Sequence, residues 1–265
     1  MKLFQFVPDG SSGCLVEAYL QEQVMESRPL PAIVICPGGG YSMVSDREAS
    51  PVAKEYLAAG YHAFVLTYST GADAAGFRPL SQLADTICHI RKQAAEWHVD
   101  PEKIAVCGFS AGGHLAASSG TLFSHPKFLS AWNRQENMRP NAMILCYPVI
   151  LANEYAHQYS IENVSGAQKN DELYRFFGLD QHVSEATPPT FLWHTASDAG
   201  VPAENSLAFA AALSQAKVPY ELHIFPKGRH GMSVCTQEVA TPDAYNRRWV
   251  DWSIQWLNRL FDFCL

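Results

Sequence analysis

The strongest constraint on this chain is a series of short apolar segments without polar interruptions. Residues 32–36 read Ala-Ile-Val-Ile-Cys, residues 104–107 read Ile-Ala-Val-Cys, and both segments end at proline or glycine. A strand that is exposed on one face alternates apolar and polar residues, whereas a strand buried on both faces reads as a continuous apolar run. These segments therefore predict central strands of a parallel sheet that is covered on both sides.

Helical patterns alternate with the strand segments. Between residues 80 and 97, apolar side chains recur every three or four positions, which marks one face of a helix. Strands that alternate with helices are typical of a parallel sheet covered on both faces, where ligands bind beyond the carboxyl ends of the strands. We predict an α/β protein with a mostly parallel central sheet of about eight strands, helices on both faces, and one domain over residues 1–265.

The segment at residues 150–188 interrupts this alternation. It has no clear period and is rich in aromatic residues, namely Tyr155, Tyr159, Tyr174, Phe176 and Phe177. A long aperiodic stretch within a compact domain is typical of a functional loop. We predict that this segment is a cap or lid inserted into the fold.

Composition and charge exclude several classes of protein. Apolar residues make up 48% of the 265 residues, and the formal net charge is −7 without a cluster of lysine and arginine. We therefore expect neither a disordered chain nor a nucleic-acid partner. The apolar runs fall short of the ~20 residues that span a bilayer, and the N-terminal residues lack a signal-peptide core. This predicts a cytoplasmic protein with no membrane partner, and the sequence leaves a homo-oligomer open.

The seven cysteines form neither a disulfide pattern nor a zinc pattern. Their number is odd, they contain no C-x-x-C pair, and three of them lie in predicted buried strands. Such cysteines act as small core side chains in a reducing compartment. We therefore expect no metal ion.

The motif with the clearest chemistry is G-x-S-x-G at residues 108–112, centred on Ser110. A buried strand precedes it and a helical segment follows from Ala111, which is the context in which such a serine is held in a sharp, exposed turn. The alternative is a serine that only shapes the turn. The context favours Ser110 as a nucleophile, and a serine hydroxyl at neutral pH needs a general base.

The base and its supporting acid are expected after later strands, in the chain order serine, acid, histidine. His230 lies in a glycine-flanked loop directly after the last predicted strand, whereas His114 should point into helix packing one turn from Ser110. Asp198 follows the preceding strand and would fix the tautomer of the histidine. Its nearest rival is Glu204, and its alternative role is an N-cap or Asx-turn. The sequence thus predicts that Ser110, Asp198 and His230 are catalytic.

Acyl transfer also needs hydrogen-bond donors for the negative oxygen of the tetrahedral intermediate. One donor is expected from the backbone N–H of Ala111, and another from the glycine-rich loop at residues 37–41. A phosphate-binding loop is the competing interpretation, but the G-K-[ST] sequence of such loops is missing here. Tyr41 and Met232 flank the catalytic loops and are candidates for lining a substrate pocket, with core packing as their alternative role.

These motifs resemble the esterase and lipase branch of the α/β-hydrolase superfamily, and within it the bacterial acetyl-xylan-esterase-like group of sugar esterases. The resemblance runs from about residue 32 to the end of the chain. The segments that carry it are residues 37–41, 108–116, 187–195, 198–207 and 228–231. By this resemblance, Gly39, Gly40 and Ala111 form the oxyanion hole. The chain departs from the group at Pro37, where many esterases carry histidine, and at Ser69, where many carry arginine.

The resemblance implies an α/β-hydrolase fold and a serine carboxylic-ester hydrolase. The expected substrates are small acyl esters, acetyl above all, of sugars or oligosaccharides. The expected mechanism passes through an acyl-enzyme and uses no metal or organic cofactor. An amide or lactone hydrolase, such as a formamidase or a small peptidase, would keep the same three residues, and a non-catalytic binding protein of this fold is the alternative from another class.

Overall fold

A single sheet of eight strands forms the centre of the protein. The computed structural model describes residues 1–22, 28–133 and 137–264. The strands are β1 (Lys2–Phe6), β2 (Leu15–Leu20), β3 (Leu30–Cys36), β4 (His62–Thr67), β5 (Val99–Phe109), β6 (Ala142–Cys146), β7 (Thr190–Thr195) and β8 (Tyr220–Phe225). Their order across the sheet is β1-β2-β4-β3-β5-β6-β7-β8.

Most of the sheet is parallel. The pairs β1–β2 and β2–β4 are antiparallel, and the neighbouring strands from β4 across to β8 are parallel. All residues of β6 and β7 are buried, as are all residues of β3 except its first. Burial on both faces explains the continuous apolar run at residues 32–36. The prediction of a mostly parallel sheet of about eight strands is confirmed.

α-Helices cover both faces of the sheet. They are α1 (Ser50–Ala58), α2 (Arg78–Lys92), α3 (Ala94–Trp97), α4 (Ala111–Thr121), α5 (Pro126–Trp132), α6 (Gln158–Ser165), α7 (Glu172–Phe176), α8 (Glu204–Gln215) and α9 (Arg248–Leu260). Successive side chains of a strand point to opposite faces. Val34 of β3 accordingly packs in one core cluster with residues of α2 and α4, while Ile33 and Ile35 pack in a second cluster with residues of α1 and α9.

Residues 150–188 connect β6 to β7 and contain α6 and α7. Tyr174 and Phe177 of this segment are buried, whereas Tyr159 is 54% exposed. The side chain of Asn163, on α6, donates from Nδ2 to the carbonyl oxygen of Gly40 over 2.8 Å. The segment therefore lies against the glycine-rich loop after β3. Its closure as a lid and the single-domain organisation stay predictions.

The cysteines of the described ranges form no disulfide, and six of the seven are buried. Cys36, Cys107 and Cys146 lie in the neighbouring strands β3, β5 and β6 but are not paired in register, and Cys36 faces the opposite side of the sheet from the other two. Within the same ranges, no helix has both the length and the apolarity that a membrane crossing requires.

Candidate active site

Ser110 lies in a tight turn between the end of β5 and the start of α4. Its backbone has a φ of 54° and a ψ of −118°, a strained conformation for a residue with a side chain. A Cβ on Gly108 would lie 2.1 Å from the carbonyl oxygen of Gly112, and a Cβ on Gly112 would lie 2.1 Å from that of Cys36. Only glycine fits at these two positions, which explains their place in the motif.

His230 forms hydrogen bonds with both of the other residues predicted as catalytic. Its Nε2 lies 2.8 Å from Ser110 Oγ, and its Nδ1 lies 2.7 Å from Asp198 Oδ2. Because an ionised carboxylate can only accept, Nδ1 carries the proton and Nε2 can accept the proton of the serine hydroxyl. The structure thus brings Ser110, His230 and Asp198 together from the loops after β5, β8 and β7.

Asp198 is buried and held in its ionised form. Its Oδ1 accepts from the backbone N–H groups of Gly200 and Val201 over 2.8 and 2.9 Å. Burial would raise the pKa of this carboxyl, but hydrogen bonds with His194 and His230 outweigh burial and hold the pKa well below its usual range. Asp198 therefore contacts Nδ1 of His230 and also forms the Asx-turn that the sequence suggested as its alternative role.

In the glycine-rich loop after β3, the backbone N–H groups of Gly39 and Gly40 make no hydrogen bond with the residues that the structure describes, whereas the carbonyls before them do. The carbonyl of Gly38 accepts from the N–H of Ser45 over 3.0 Å, and the carbonyl of Gly39 accepts from the N–H groups of Ser42 and Met43 over 3.0 and 3.2 Å. In a trans peptide the N–H points opposite to the preceding C=O. These bonds therefore turn the N–H groups of Gly39 and Gly40 away from the loop interior.

At Pro37 and Ser69, where the chain departs from the esterase pattern, other hydrogen bonds hold the backbone. Tyr68, at the end of β4, donates its hydroxyl to the carbonyl of Pro37 over 2.5 Å. Ser69 is held by the side chain of Gln82, which accepts from the Ser69 N–H and donates to its Oγ, both over 2.8 Å. The loop is therefore anchored through a backbone carbonyl, without an imidazole at position 37 or a guanidinium at position 69.

Ser110 and His230 open into a cavity of about 550 Å³. Gly39 and Gly40 also line it, so the free N–H groups, the serine and the histidine share one space. Toward solvent the wall includes Tyr159 of α6 and Met43, which are 54% and 57% exposed. The cavity therefore lies between the glycine-rich loop, the histidine loop and the segment at residues 150–188.

Tyr41 and Met232 lie outside the lining of this cavity, which corrects the prediction that they line the pocket. Tyr41 has a φ of 58° and its side chain is fully buried, with its hydroxyl 2.9 Å from Nδ1 of His114. Met232 is 5% exposed and its sulfur accepts from Nδ2 of Asn246. Both side chains turn into the core, which was the alternative role given to them.

Three polar residues around the site were not predicted from the sequence. His194, inside strand β7, is buried with its Nε2 3.4 Å from Asp198 Oδ2. Glu48 is buried in the cavity wall, and His157 lines the cavity with its Nδ1 2.8 Å from Ser160 Oγ. For His194 and His157 the available signal was a titratable residue inside an otherwise apolar or aperiodic stretch, whereas Glu48 follows two charged residues and carried no such signal. Within the part of the chain that the structure describes, no three His, Cys, Asp or Glu residues cluster in a way that could hold a metal ion.

Comparison with known proteins identifies the family of this chain. The family model described as BD-FAE matches residues 17–213. The acetylxylan esterase of Xylanibacter ruminicola is 31% identical over 211 residues, which is 77% of this chain and 42% of that protein. The chain spans less than half of the length of the first curated relatives that it matches, at 33% and 42%.

Two solved structures cover nearly the whole chain. The acetyl ester-xyloside bifunctional hydrolase of Caldicellulosiruptor lactoaceticus is 35% identical, with a TM-score of 0.82 over 94% of this chain and 88% of that one. The carboxylesterase Cest-2923 of Lactobacillus plantarum is 29% identical, with a TM-score of 0.88 over 100% of both chains. These TM-scores, together with the eight-stranded, mostly parallel sheet and its helices, confirm the α/β-hydrolase fold.

Proposed function

Because this chain belongs to the BD-FAE family and has the α/β-hydrolase fold, we propose that it is a serine esterase that cleaves small acyl esters. The observation that carries the proposal is the unbroken hydrogen-bond chain from Ser110 through His230 to Asp198 at the floor of an open cavity. A nucleophile, a base in contact with it and a group that orients the base are what acyl transfer requires.

In the acylation step, Ser110 Oγ attacks the carbonyl carbon of the ester while its proton passes to Nε2 of His230. The new Oγ–C bond forms a tetrahedral intermediate, whose negative oxygen accepts from the N–H groups of Gly39, Gly40 and Ala111. The bond from carbon to the alcohol oxygen then breaks, and His230 returns the proton to the leaving alcohol. Asp198 stabilises the imidazolium that exists between these two transfers.

Deacylation repeats the same steps with water. His230 takes a proton from a water molecule, which attacks the acyl carbon of the Ser110 ester. The intermediate collapses to a carboxylic acid, and Ser110 regains its proton from His230. Each oxyanion donor contributes about 3–4 kcal/mol of transition-state stabilisation in serine hydrolases, so the positions of Gly39 and Gly40 bear directly on the rate.

We propose acetyl as the acyl group and a sugar or oligosaccharide as the alcohol. The support is the acetylxylan esterase and the acetyl ester-xyloside hydrolase among the relatives. The lining of the cavity also suits a sugar, since it includes both the exposed ring of Tyr159 and the polar side chains of Asp46 and Arg47. Sugar hydroxyls need such polar partners, and the apolar faces of sugars pack on aromatic rings. A cytoplasmic location stays a prediction from the sequence.

The test is a series of p-nitrophenyl acetate, butyrate and octanoate, together with acetate release from an acetylated xylo-oligosaccharide. We expect the acetate to be cleaved fastest and the oligosaccharide to be deacetylated. Ser110→Ala should lower kcat by about 10⁴-fold or more. Ser214→Ala, the same change on the exposed face of α8, is the control and should match the wild type. Cleavage of octanoate alone would contradict the acetyl assignment, and equal rates for Ser110→Ala and wild type would contradict the mechanism.

A further inference from the structure

Glu48 is a buried carboxylate in the wall of the catalytic cavity, and the mechanism above does not use it. It is 3% exposed. Among the described residues, no Lys, Arg or His nitrogen lies within ion-pair distance of this carboxylate. Burying an unpaired charge costs several kcal/mol unless hydrogen bonds compensate for it. The hydrogen bonds that Glu48 accepts must therefore compensate for this cost, and they indicate what the side chain does.

Each oxygen of Glu48 accepts a hydrogen bond from a different part of the site. Oε2 accepts from the backbone N–H of Gly38 over 2.8 Å, and Oε1 accepts from the hydroxyl of Tyr147 over 2.7 Å. The Tyr147 oxygen in turn accepts from the N–H of Ser233 over 2.8 Å. A directed chain of donors therefore runs from the histidine loop through Tyr147 to Glu48, where it meets the glycine-rich loop.

This series of hydrogen bonds has a residue of the candidate catalytic triad near each end. A Cβ on Gly38 would lie 2.6 Å from Glu48 Oε2 and 3.1 Å from Ser110 Cβ, so the carboxylate and the serine sit close to the same glycine. At the other end, the rings of Tyr147 and His230 are 5.1 Å apart at their centroids and meet edge to face. Glu48 thus accepts on both sides and joins the loop carrying Gly39, through Gly38, to the loop carrying His230, through Tyr147.

Donor counting explains why the residue is a glutamate. The two oxygens of a carboxylate are both acceptors, whereas glutamine has one oxygen acceptor and one NH₂ donor. In Glu48→Gln, the NH₂ would face either the N–H of Gly38 or the hydroxyl of Tyr147. The hydroxyl cannot simply reverse, because its other in-plane side receives the N–H of Ser233. An amide of nearly the same size therefore disrupts one of the two loops.

We propose that Glu48 is a positioning residue of the esterase, and that its two hydrogen bonds set the direction of the oxyanion-hole N–H groups relative to Ser110 and His230. The N–H of Gly38 is fixed by Glu48 and its carbonyl is fixed by Ser45. Since the carbonyl of Gly38 sets the direction of the Gly39 N–H, a tilt of this residue moves an oxyanion donor. The inference rests on the proposed function, because it assigns a role within that reaction.

The first experiment compares Glu48→Gln with wild type in hydrolysis of p-nitrophenyl acetate and in binding of phenylboronic acid, which forms a tetrahedral adduct with a serine oxygen. We expect kcat to fall about 10- to 100-fold, a smaller loss than the 10²–10³-fold typical of a deleted oxyanion donor. We expect KM to change less than about twofold and boronate affinity to fall by the same factor as kcat. Glu185→Gln, the same change at an exposed position, is the control and should behave as wild type.

A double-mutant cycle with Tyr147→Phe keeps the proposal testable if Glu48→Gln folds poorly. Without the Tyr147 hydroxyl, the glutamine oxygen can accept from Gly38 while its NH₂ faces no donor. We therefore expect Glu48→Gln to cost several-fold less in the Tyr147→Phe background than in wild type. Rates are normalised to the fraction of Ser110 that a fluorophosphonate labels, so that misfolded protein does not count.

Three outcomes would overturn the proposal. They are a kcat for Glu48→Gln within twofold of wild type, a rise in KM at unchanged kcat, or a loss of kcat from Glu48→Gln that is as large in the Tyr147→Phe background as in wild type. Boronate binding needs no turnover, so it separates this inference from the proposed function. If wild type neither hydrolyses the esters nor binds the boronate, the proposed function fails. If wild type does both and Glu48→Gln does both equally well, only the role of Glu48 fails.

Discussion

Nε2 of His194 lies 3.4 Å from Oδ2 of Asp198, the same oxygen that contacts His230. His194 is fully buried, its Nε2 also lies 2.9 Å from the carbonyl of Val201, and its Nδ1 lies 2.8 Å from Ser206 Oγ. With a donating Ser206 hydroxyl, Nε2 carries the proton and points at both oxygens. His194 therefore contacts both Asp198 and the loop whose Gly200 and Val201 N–H groups bind the other carboxylate oxygen, which limits the directions in which Asp198 can meet His230.

The role of His194 is testable by His194→Phe, which keeps an aromatic ring and removes the hydrogen bond to Asp198. We expect kcat to fall about tenfold with little change in KM, because the ionised carboxylate loses a partner that stabilises and orients it. Steady-state kinetics with p-nitrophenyl acetate measure the effect. A loss confined to KM would show that His194 acts on substrate binding instead.

The glycine-rich loop leads to a second prediction, for Gly39→Ala. Gly39 has a φ of 129°, and a Cβ there would lie 2.2 Å from the carbonyl oxygen of Met43. The loop must shift, so at least one oxyanion donor is displaced, and kcat should fall about 10²–10³-fold. Gly76→Ala is the matched control, since Gly76 has a φ of 71° with nothing within 4 Å of an added Cβ. The control should lose about 1 kcal/mol of stability to backbone strain and keep its kcat. Equal activities of the two variants would exclude Gly39 from the oxyanion hole.

The pH dependence of stability follows from another buried histidine, His114. Burial lowers the pKa of His114 from its ordinary 6.5 to about 4. Between these values the unfolded chain binds a proton that the folded protein does not, so the free energy of unfolding should fall as pH drops from 6.5 toward 4. For a shift of this size the loss is roughly 3 kcal/mol. The stability is fully present above pH 6.5.

Urea unfolding at several pH values tests this prediction with two variants. His114→Gln should be less stable than wild type at neutral pH but should lose less stability between pH 6.5 and 4. Tyr41→Phe removes only the hydroxyl that contacts Nδ1 of His114, so it should keep the steep pH dependence of wild type. His62, whose pKa burial also lowers to about 4, leaves a residual slope in every variant. A wild-type slope in His114→Gln would contradict the assignment.

Much of the fold could be predicted because its signals are local. The apolar run at residues 32–36 and the G-x-S-x-G motif at residues 108–112 each specify a strand or a turn from a few adjacent residues. Helix α5 (Pro126–Trp132) was missed, since its seven residues are too short to show a clear period. The segment at residues 150–188 was recognised only by the absence of a pattern.

The site was predictable where chain order constrains it and unpredictable where side-chain direction decides. Ser110, Asp198 and His230 follow parallel strands, and the structure brings all three together beyond the carboxyl ends of those strands. Tyr41 is adjacent to Gly40 in sequence, yet its positive φ turns the ring into the core. Glu48 contacts Gly38 and Tyr147, which are 10 and 99 residues away in sequence. No local sequence pattern predicts contacts of this kind.

The most direct test of the central claim is covalent labelling of Ser110 by a fluorophosphonate, followed by intact-mass and peptide mass spectrometry. We predict one label per chain on Ser110, loss of p-nitrophenyl acetate hydrolysis in proportion to labelling, and no label on Ser110→Ala. His230→Ala should label much more slowly, because the serine then lacks its base. Labelling at another residue, or ester hydrolysis that persists in a fully labelled protein, would contradict the central claim.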